Sequence, residues 1–565
     1  MFDRRRYTRL VTICILAAVL VYLVGNGSVA LWDRDEPRYA TASRYMAEHG
    51  DWIVPQFLGQ PRTAKPILIY WLQAGAMKLF GPTAFAARFP SVVSMTLTLS
   101  LLAAALPTIV GRRRASWTVF VLASSVLTIA TAKMSLTDAT LLLFVTASQL
   151  LLYRLWLGRR DPLTFASFGL CVGLAGLTKG PVVLAFCGAT LAALLAMKWI
   201  DRRRPGTSGS DFDRTDHAET DVARIGAFGW LWRVALALLL VAATLAPWLW
   251  MIERRLPGYI LGTLYKEILL RGTQAAEGHT GPPGFYLLTV WGTFFPWCLL
   301  LPAALVLGWR HRANPPLRFA LAAVVGPWLF LELYVTKLPH YLVSTFPFLS
   351  LLIADLIVRT RRNMVDETSN RGFRIGVAAW RGAVLLLALA ACATLFIETQ
   401  PTVVLIGLMV LTATAFEYGR TVHRAMLARR MTIAAVVMGI GTWLLVLVAH
   451  ALILPYLGFL RISPRIAELL RDDGATDQPE VRMIDYKEPS LGFYQGGSIR
   501  EELDDRFLIN APPEHWPRWL VITDEQFRQA PDDVQERWTL IGAVDGIAYA
   551  DGMRRVRVLA LRRRD

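Results

Sequence analysis

Asp33-Arg34-Asp35-Glu36-Pro37-Arg38-Tyr39 places three carboxylates and two guanidinium groups directly after an apolar stretch that ends at Trp32. A carboxylate there has two physical readings. It can take a proton as a general base. It can also cap a helix, with Asp35 as N-cap and Pro37 in the first turn. The residues alone leave both open. Other ionisable or polar side chains stand where apolar runs end: Lys65, Asp138, Lys179, Glu267, Arg271, His279, Lys337, His340 and Tyr341. Such groups at a membrane boundary are functional candidates by default, and each also has a plainer role. Lys65 and Arg271 can snorkel to headgroups. Asp138 can cap a helix beginning in Ser135-Leu136-Thr137-Asp138. Lys179 can anchor at the interface, Lys337 is one basic residue in a boundary loop, and His279 fits a hydrogen-bonding loop residue as well as a metal ligand.

The elements that carry these residues follow from composition. Of 565 residues 54% are hydrophobic and only 18% charged, so the apolar surface calls for a bilayer. The net charge of +17 comes from arginines clustered between apolar runs. They serve as topology signals and headgroup contacts rather than as a nucleic-acid surface, since no nucleic-acid-binding motif accompanies them. The five cysteines, Cys14, Cys171, Cys187, Cys298 and Cys392, all lie in apolar runs without a CxxC pair, which points to buried small hydrophobes.

About thirteen runs are long enough to cross a core of about 30 Å. They are 10–31, 86–110, 116–133, 138–157, 163–179, 181–200, 229–251, 284–308, 317–336, 341–358, 382–398, 401–418 and 432–456. The first is a retained helix rather than a cleaved signal peptide. Arg4–Arg6, Arg112–Arg114, Arg159/Arg160, Arg202–Arg204, Arg310/Arg312, Arg359/Arg361/Arg362 and Arg429/Arg430 alternate with loops poor in basic residues. The positive-inside rule then puts the N-terminus in the cytoplasm and the chemistry-bearing loops outside. The expected organisation is an all-α membrane unit over 1–456, followed by a small soluble α/β domain over 457–565 with strand-like runs at 481–484, 519–522 and 556–559. The long first outer loop, 32–85, holds two interfacial helices, at 36–48 and 66–79. Residues 205–225 form a polar cytoplasmic loop. Loop 252–283, rich in Gly and Pro near its end, suits a lid or an ordinary interfacial loop. Trp32, Trp52, Trp71, Trp248, Trp291 and Trp297 suit interfacial belts.

The runs DEPRYA (35–40), GDWIVPQFLG (50–59) and KPILIYW (65–71) resemble DETRYA, GDWxxPxxxG and EKPxxxYW of the bacterial 4-amino-4-deoxy-L-arabinose lipid A transferases and the related protein mannosyltransferases. The resemblance continues in order through KMSLTD, GLTKGP, GHTGPPGFYL, FPW and KLPHYLVSTFP, up to about residue 350. It implies a GT-C fold in the bacterial inner membrane and an inverting transfer of sugar from a polyprenyl phosphate, such as undecaprenyl phosphate, to lipid A or another envelope acceptor outside the cytoplasm. On that resemblance Asp35 is the base and Asp138 a second catalytic carboxylate. Lys65, Arg38, Arg271, Tyr341, Lys179 and Lys337 face the donor phosphate, whose developing charge needs cations. No cofactor is required, and His279 is the one candidate ligand for a divalent metal. Pro37 replaces the family's Thr and Ala64 its Glu, which leaves sugar and acceptor open. Two other functions compete: protein O-mannosyl transfer, and lipid-sugar transport. Transport fits less well, because the polar candidates gather at one face and the chain shows no repeated halves.

Overall fold

The computed structural model of the chain describes residues 3–203, 227–265, 280–360, 371–397, 400–475, 480–504 and 506–564. The polar loop 205–225 lies outside them. Among the described residues, eleven helices are long and apolar enough to cross a membrane, or twelve if the bent pair Arg112–Ala123 and Val126–Ala132 counts as one span. This is a multi-span membrane protein.

In chain order the site-bearing part comprises α1 (Arg4–Leu23), α2 (Asp35–His49), the hairpin β1 (Gln56–Phe57) and β2 (Gln60–Pro61), α3 (Leu68–Phe80), α4 (Ala84–Val110), α5 (Arg112–Ala123), α6 (Val126–Ala132), α7 (Asp138–Trp156), α8 (Pro162–Lys179) and α9 (Val182–Arg202). Further long helices include Ala227–Arg255, Pro315–Leu333, Phe346–Thr360, Thr402–Leu427 and Met431–Val448.

Two expected spans are not single helices. The run 116–133 bends by 66° between α5 and α6. There the Ser124 and Ser125 hydroxyls donate back to the Phe120 and Leu122 carbonyls, and the Val126 N–H donates to the Phe295 carbonyl at 2.8 Å. Serine back-bonding of this kind bends helices. The run 284–308 divides into Phe285–Thr293, a 3-10 turn at Trp297–Leu300 and Leu301–Arg310. Pro296 lacks an N–H and disfavours helix at the residue before it. Trp248 and Trp297 are 2% and 0% exposed, so they are core rather than belt.

Close helix approach positions the site. Gly169 and Gly173 of α8 face helix Ala227–Arg255, and a Cβ at Gly169 would strike the Ala237 carbonyl. Small residues of this kind let membrane helices pack backbone to backbone. At the ends expected to face the cytoplasm, arginines are paired. Asp355, 2% exposed, accepts from Arg114 at 2.6 Å and Arg359 at 2.7 Å, and Asp201 holds Arg312 and Arg318.

The C-terminal residues build a five-stranded sheet from β3 (Val481–Ile484), β4 (Arg500–Glu501), β5 (Trp519–Thr523), β6 (Trp538–Ala548) and β7 (Arg554–Arg563). Its order is β4-β3-β5-β7-β6, parallel among the first three and antiparallel at β7. One face packs on helix Ile462–Asp472 through Ile466 and Leu470, and the other, which carries Trp538, on Phe507 and Trp516. This unit docks on the segment that follows α1: Phe493 sits in one cluster with Leu31, Ala40 and Met77.

The start of α2 is tied down by a buried ion pair. Glu36, 1% exposed, takes Arg88 Nε at 2.9 Å and Nη2 at 2.7 Å, the Trp32 N–H at 2.8 Å and the Ser135 N–H at 2.6 Å. The other Arg88 donors reach the carbonyls of Asn26, Val29 and Ala30. Every guanidinium N–H is used, and both carboxylate oxygens accept two bonds. A buried charge pair is tolerated only with such complete satisfaction. Arg88→Met is therefore expected to destabilise the protein by about 3–5 kcal/mol. Arg88→Lys, which keeps the charge but not the fork, is expected to lower the melting temperature as well. Both are read by thermal unfolding in detergent, and a wild-type melting temperature for Arg88→Lys would contradict the account.

Candidate active site

The site is assembled from helix ends. Asp138 is the first residue of α7, and no side chain caps that helix. Its carboxylate turns instead to Lys179 Nζ at 2.8 Å, with side chains 8% and 14% exposed. Lys179 is the last residue of α8. Gly180 follows with φ +67°, and α9 begins after Pro181, so the chain reverses around the ammonium. That ammonium also lies 4.9 Å from the ring centroid of Tyr341, which sits in the 3-10 turn Pro339–Thr345 beside His340. Lys65 precedes α3 and donates to the Ala64 carbonyl at 2.9 Å. Lys179, His340 and Lys65 are the positive groups that act on Asp138.

Lys65, Asp138, Lys179 and Tyr341 share the wall of a cavity of about 450 Å³. The rest of its lining is largely apolar, including Leu141, Val182, Leu184, Phe186, Phe330 and Leu331. A polar, net cationic end joined to an aliphatic and aromatic body is the complement of an anionic amphiphile.

Asp35 is the first residue of α2. Arg34 precedes it and no side chain caps the helix, so the N-cap reading does not hold for Asp35. Its side chain is exposed and stands outside the cavity lining, as does Arg38. Tyr39, 6% exposed, is within electrostatic range of both Asp35 and Asp138. Its ring is tilted against Tyr70 at 5.6 Å, and the Arg62 guanidinium rests 5.0 Å above it. Burial pushes the Tyr39 hydroxyl well above its ordinary range. Arg62 also feels the Asp35 charge.

Lys337 is elsewhere. Its ammonium bonds Glu332 at 3.0 Å and the Pro282 carbonyl at 3.3 Å, and Glu332 takes the N–H groups of Gly284 and Tyr286. This buried knot holds the entry to helix Phe285–Thr293, so Lys337 is an anchor of that segment rather than part of the cavity wall. Glu267, Arg271 and His279 lie outside the described residues, and so does the stretch 266–279 of the expected lid. The lid's described start is helical: helix Ala227–Arg255 runs past the expected end of its span, and a short helix follows at Tyr259–Leu264. Among the described residues no three His, Cys, Asp or Glu side chains gather as a metal site would require.

Several positioning residues carried no signal in the sequence reading. Ser43 donates to Gln73 at 2.9 Å and Gln73 to Ser135 at 2.7 Å, fixing the turn before Asp138. Lys133 Nζ caps the end of α1 through the carbonyls of Val21, Tyr22 and Val24. Gln73 and Lys133 are polar residues inside apolar runs, which is the one cue that could have found them, and Ser43 in the polar helix α2 offers none.

Comparison with known proteins fits this geometry. Residues 8–258 match the family described as dolichyl-phosphate-mannose-protein mannosyltransferase. The undecaprenyl phosphate-alpha-4-amino-4-deoxy-L-arabinose arabinosyl transferase of Aeromonas salmonicida is 31% identical over 394 residues, 68% of this chain. The chain belongs to this GT-C glycosyltransferase family. The enzyme of the same name from Pectobacterium carotovorum is 30% identical over 67% of the chain. The chain spans 66% and 64% of those two relatives' own lengths. The GT-C fold extends further: ArnT of Cupriavidus metallidurans, solved bound to undecaprenyl phosphate, aligns over 98% of both chains with a TM-score of 0.70 at 18% identity.

The cavity's chemistry makes a direct prediction. A long-chain alkyl phosphate titrated into the detergent-solubilised protein is expected to bind about 10-fold or more weakly to Lys65→Ala and to Lys179→Met, since each loses one charge-assisted contact. Unchanged affinity in both variants would remove the phosphate from this end of the cavity.

Proposed function

We propose that the protein transfers a monosaccharide from a polyprenyl phosphate to an acceptor outside the cytoplasm, with aminoarabinose as the sugar and lipid A as the acceptor. The observation that carries this reading is the cavity that joins Lys65, Lys179 and Tyr341 to an apolar body, with Tyr39 in electrostatic range of both its Asp138 and the exposed Asp35. The names of the aligned relatives and the lipid in the ArnT structure support the choice of donor.

In this reading Asp35 takes the proton of the acceptor hydroxyl as its oxygen attacks C1 of the sugar. The bond from C1 to the phosphate oxygen breaks in the same displacement, so the configuration inverts. The departing phosphate gains charge, which Lys65 and Lys179 stabilise and to which the Tyr341 hydroxyl donates. Asp138 fixes the Lys179 ammonium through their ion pair. Arg38 and Arg271 complete the cationic set, and Lys337 acts on it through the segment it anchors. The N-terminus is cytoplasmic, and both site and C-terminal sheet face the periplasm. The paired arginines at the opposite helix ends support that orientation.

Mass spectrometry of lipid A and envelope proteins, with the gene present or deleted, tests the reading. The expected result is a gene-dependent aminopentose increment on lipid A, reduced by about 100-fold or more in Asp35→Asn. A hexose increment on envelope protein instead would assign the acceptor to the mannosyltransferase side of the family. Undiminished transfer by Asp35→Asn would remove Asp35 as the base.

A further inference from the structure

The acidic segment is gripped from the far end of the chain. Asp33 accepts the Ser490 N–H at 2.8 Å and the Ser490 hydroxyl at 2.5 Å. Its own N–H donates to the Tyr549 hydroxyl at 2.8 Å, and the Leu31 N–H to the Tyr494 hydroxyl at 2.9 Å. Arg34 reaches the Ala550 carbonyl through Nε at 3.0 Å and Nη2 at 2.7 Å, and Arg44 reaches the Phe493 carbonyl. Asp33, Glu488 and Ser490 line one small pocket with Tyr486 and Tyr549. Glu488 is 5% exposed, its Oε1 is buried with no hydrogen-bond partner among the described residues, and it lines the same pocket as Asp33. Two carboxylates crowded into one small buried pocket are not both charged at once, so one of them holds a proton.

We propose that Asp33, Glu488 and Ser490 form a proton-dependent latch through which the C-terminal sheet unit positions the start of α2, and with it Asp35. Asp33 lies two residues before Asp35 and three before the buried Glu36, so releasing it loosens the segment on the side that the Glu36–Arg88 pair does not hold. The groups facing the pair are known from every element around it. Glu36, Tyr494, Tyr549 and Tyr486 act on Asp33, and Asp551 and Arg34 on Glu488. Acidic groups outnumber Arg34, and Arg88 is already neutralised by Glu36. Burial and the neighbouring Glu488 carboxylate push Asp33 up to about 8, and burial likewise raises Glu488. The sign follows. The docked state holds a proton that the separated segments release in the ordinary carboxylate range, so the latch is tightest at low pH. It weakens progressively as pH rises to about 8, with no further change above that.

Hydrogen exchange of the purified full chain at pH 6.5 and pH 9, corrected for intrinsic rates, tests the latch. Its readout does not depend on which sugar is transferred. Protection of residues 31–36 is expected to fall on the order of 10-fold at pH 9 in the wild type. In Glu488→Gln, which removes the second charge and leaves Asp33 buried, the fall in protection is expected to be several-fold smaller than in the wild type. Asp33→Asn gives the same test should Glu488→Gln fold poorly. Equal wild-type protection at the two pH values overturns the latch. The positioning role rests on the glycosyl-transfer reading, and its readout is kcat, which is expected to fall over the same range, up to about pH 8, while donor KM stays constant. A wild-type kcat that stays constant while protection falls would overturn the positioning role alone. Loss of transfer in Asp35→Asn at every pH reports on the base and leaves the latch to the exchange data.

Discussion

Glu36 and Arg88 meet where the first membrane helix ends, the outer loop begins and the turn before α7 passes underneath. One carboxylate receives backbone N–H groups from Trp32 and Ser135, and one guanidinium gathers the carbonyls of Asn26, Val29 and Ala30. Three chain segments that would otherwise present unsatisfied backbone to a membrane interior are thereby joined at a single point. The neighbouring residues inherit their direction from it. Asp35 is turned outward because Glu36 is turned in, and Asp138 lies three residues beyond the Ser135 that Glu36 holds.

Around that point the chemistry collects at helix termini. Asp35 and Asp138 each occupy the first position of a helix, where uncapped N–H groups favour negative charge. Lys179 ends α8, where the carbonyls favour positive charge. Carboxylate and ammonium are thus in place before any ligand arrives, and the ion pair between Asp138 and Lys179 keeps the cation aimed along the cavity rather than out to headgroups. The Tyr39–Tyr70–Arg62 stack adds rings and one more cation beside α2, within electrostatic range of Asp35.

Much of this was legible in the sequence, for physical reasons that differ from part to part. Membrane spans were visible because length and hydrophobicity are enough to define them, and α2 and α3 because their apolar positions recur at helical spacing. Asp138, Lys179, Lys65 and Tyr341 were visible as polar residues at boundaries, and they converge on one cavity. The broken span at 285–310 was hidden, since hydropathy does not register a proline that interrupts a run of otherwise apolar residues. Glu36 appeared only as a neighbour of Asp35. Its partner lies 52 positions away in the middle of an apolar helix, and no local pattern links them. Lys337 looked like a phosphate ligand because a boundary lysine does not disclose a carboxylate five positions earlier that claims it. Strands β6 and β4 were missed, one because glycine and aspartate interrupt its alternation and the other because it is two residues long.

The account rests on a lipid phosphate occupying the cavity between α7, α8 and α9, beside the segment that Glu36 fixes. Photocrosslinking with a polyprenyl phosphate carrying a photoreactive group near the phosphate, followed by peptide mapping, addresses that point most directly. Adducts on residues 64–66, 179–186 and 330–334, competed away by unlabelled lipid, are the predicted result. Specific adducts confined to the separate apolar groove between Leu299 and Phe373 would contradict it.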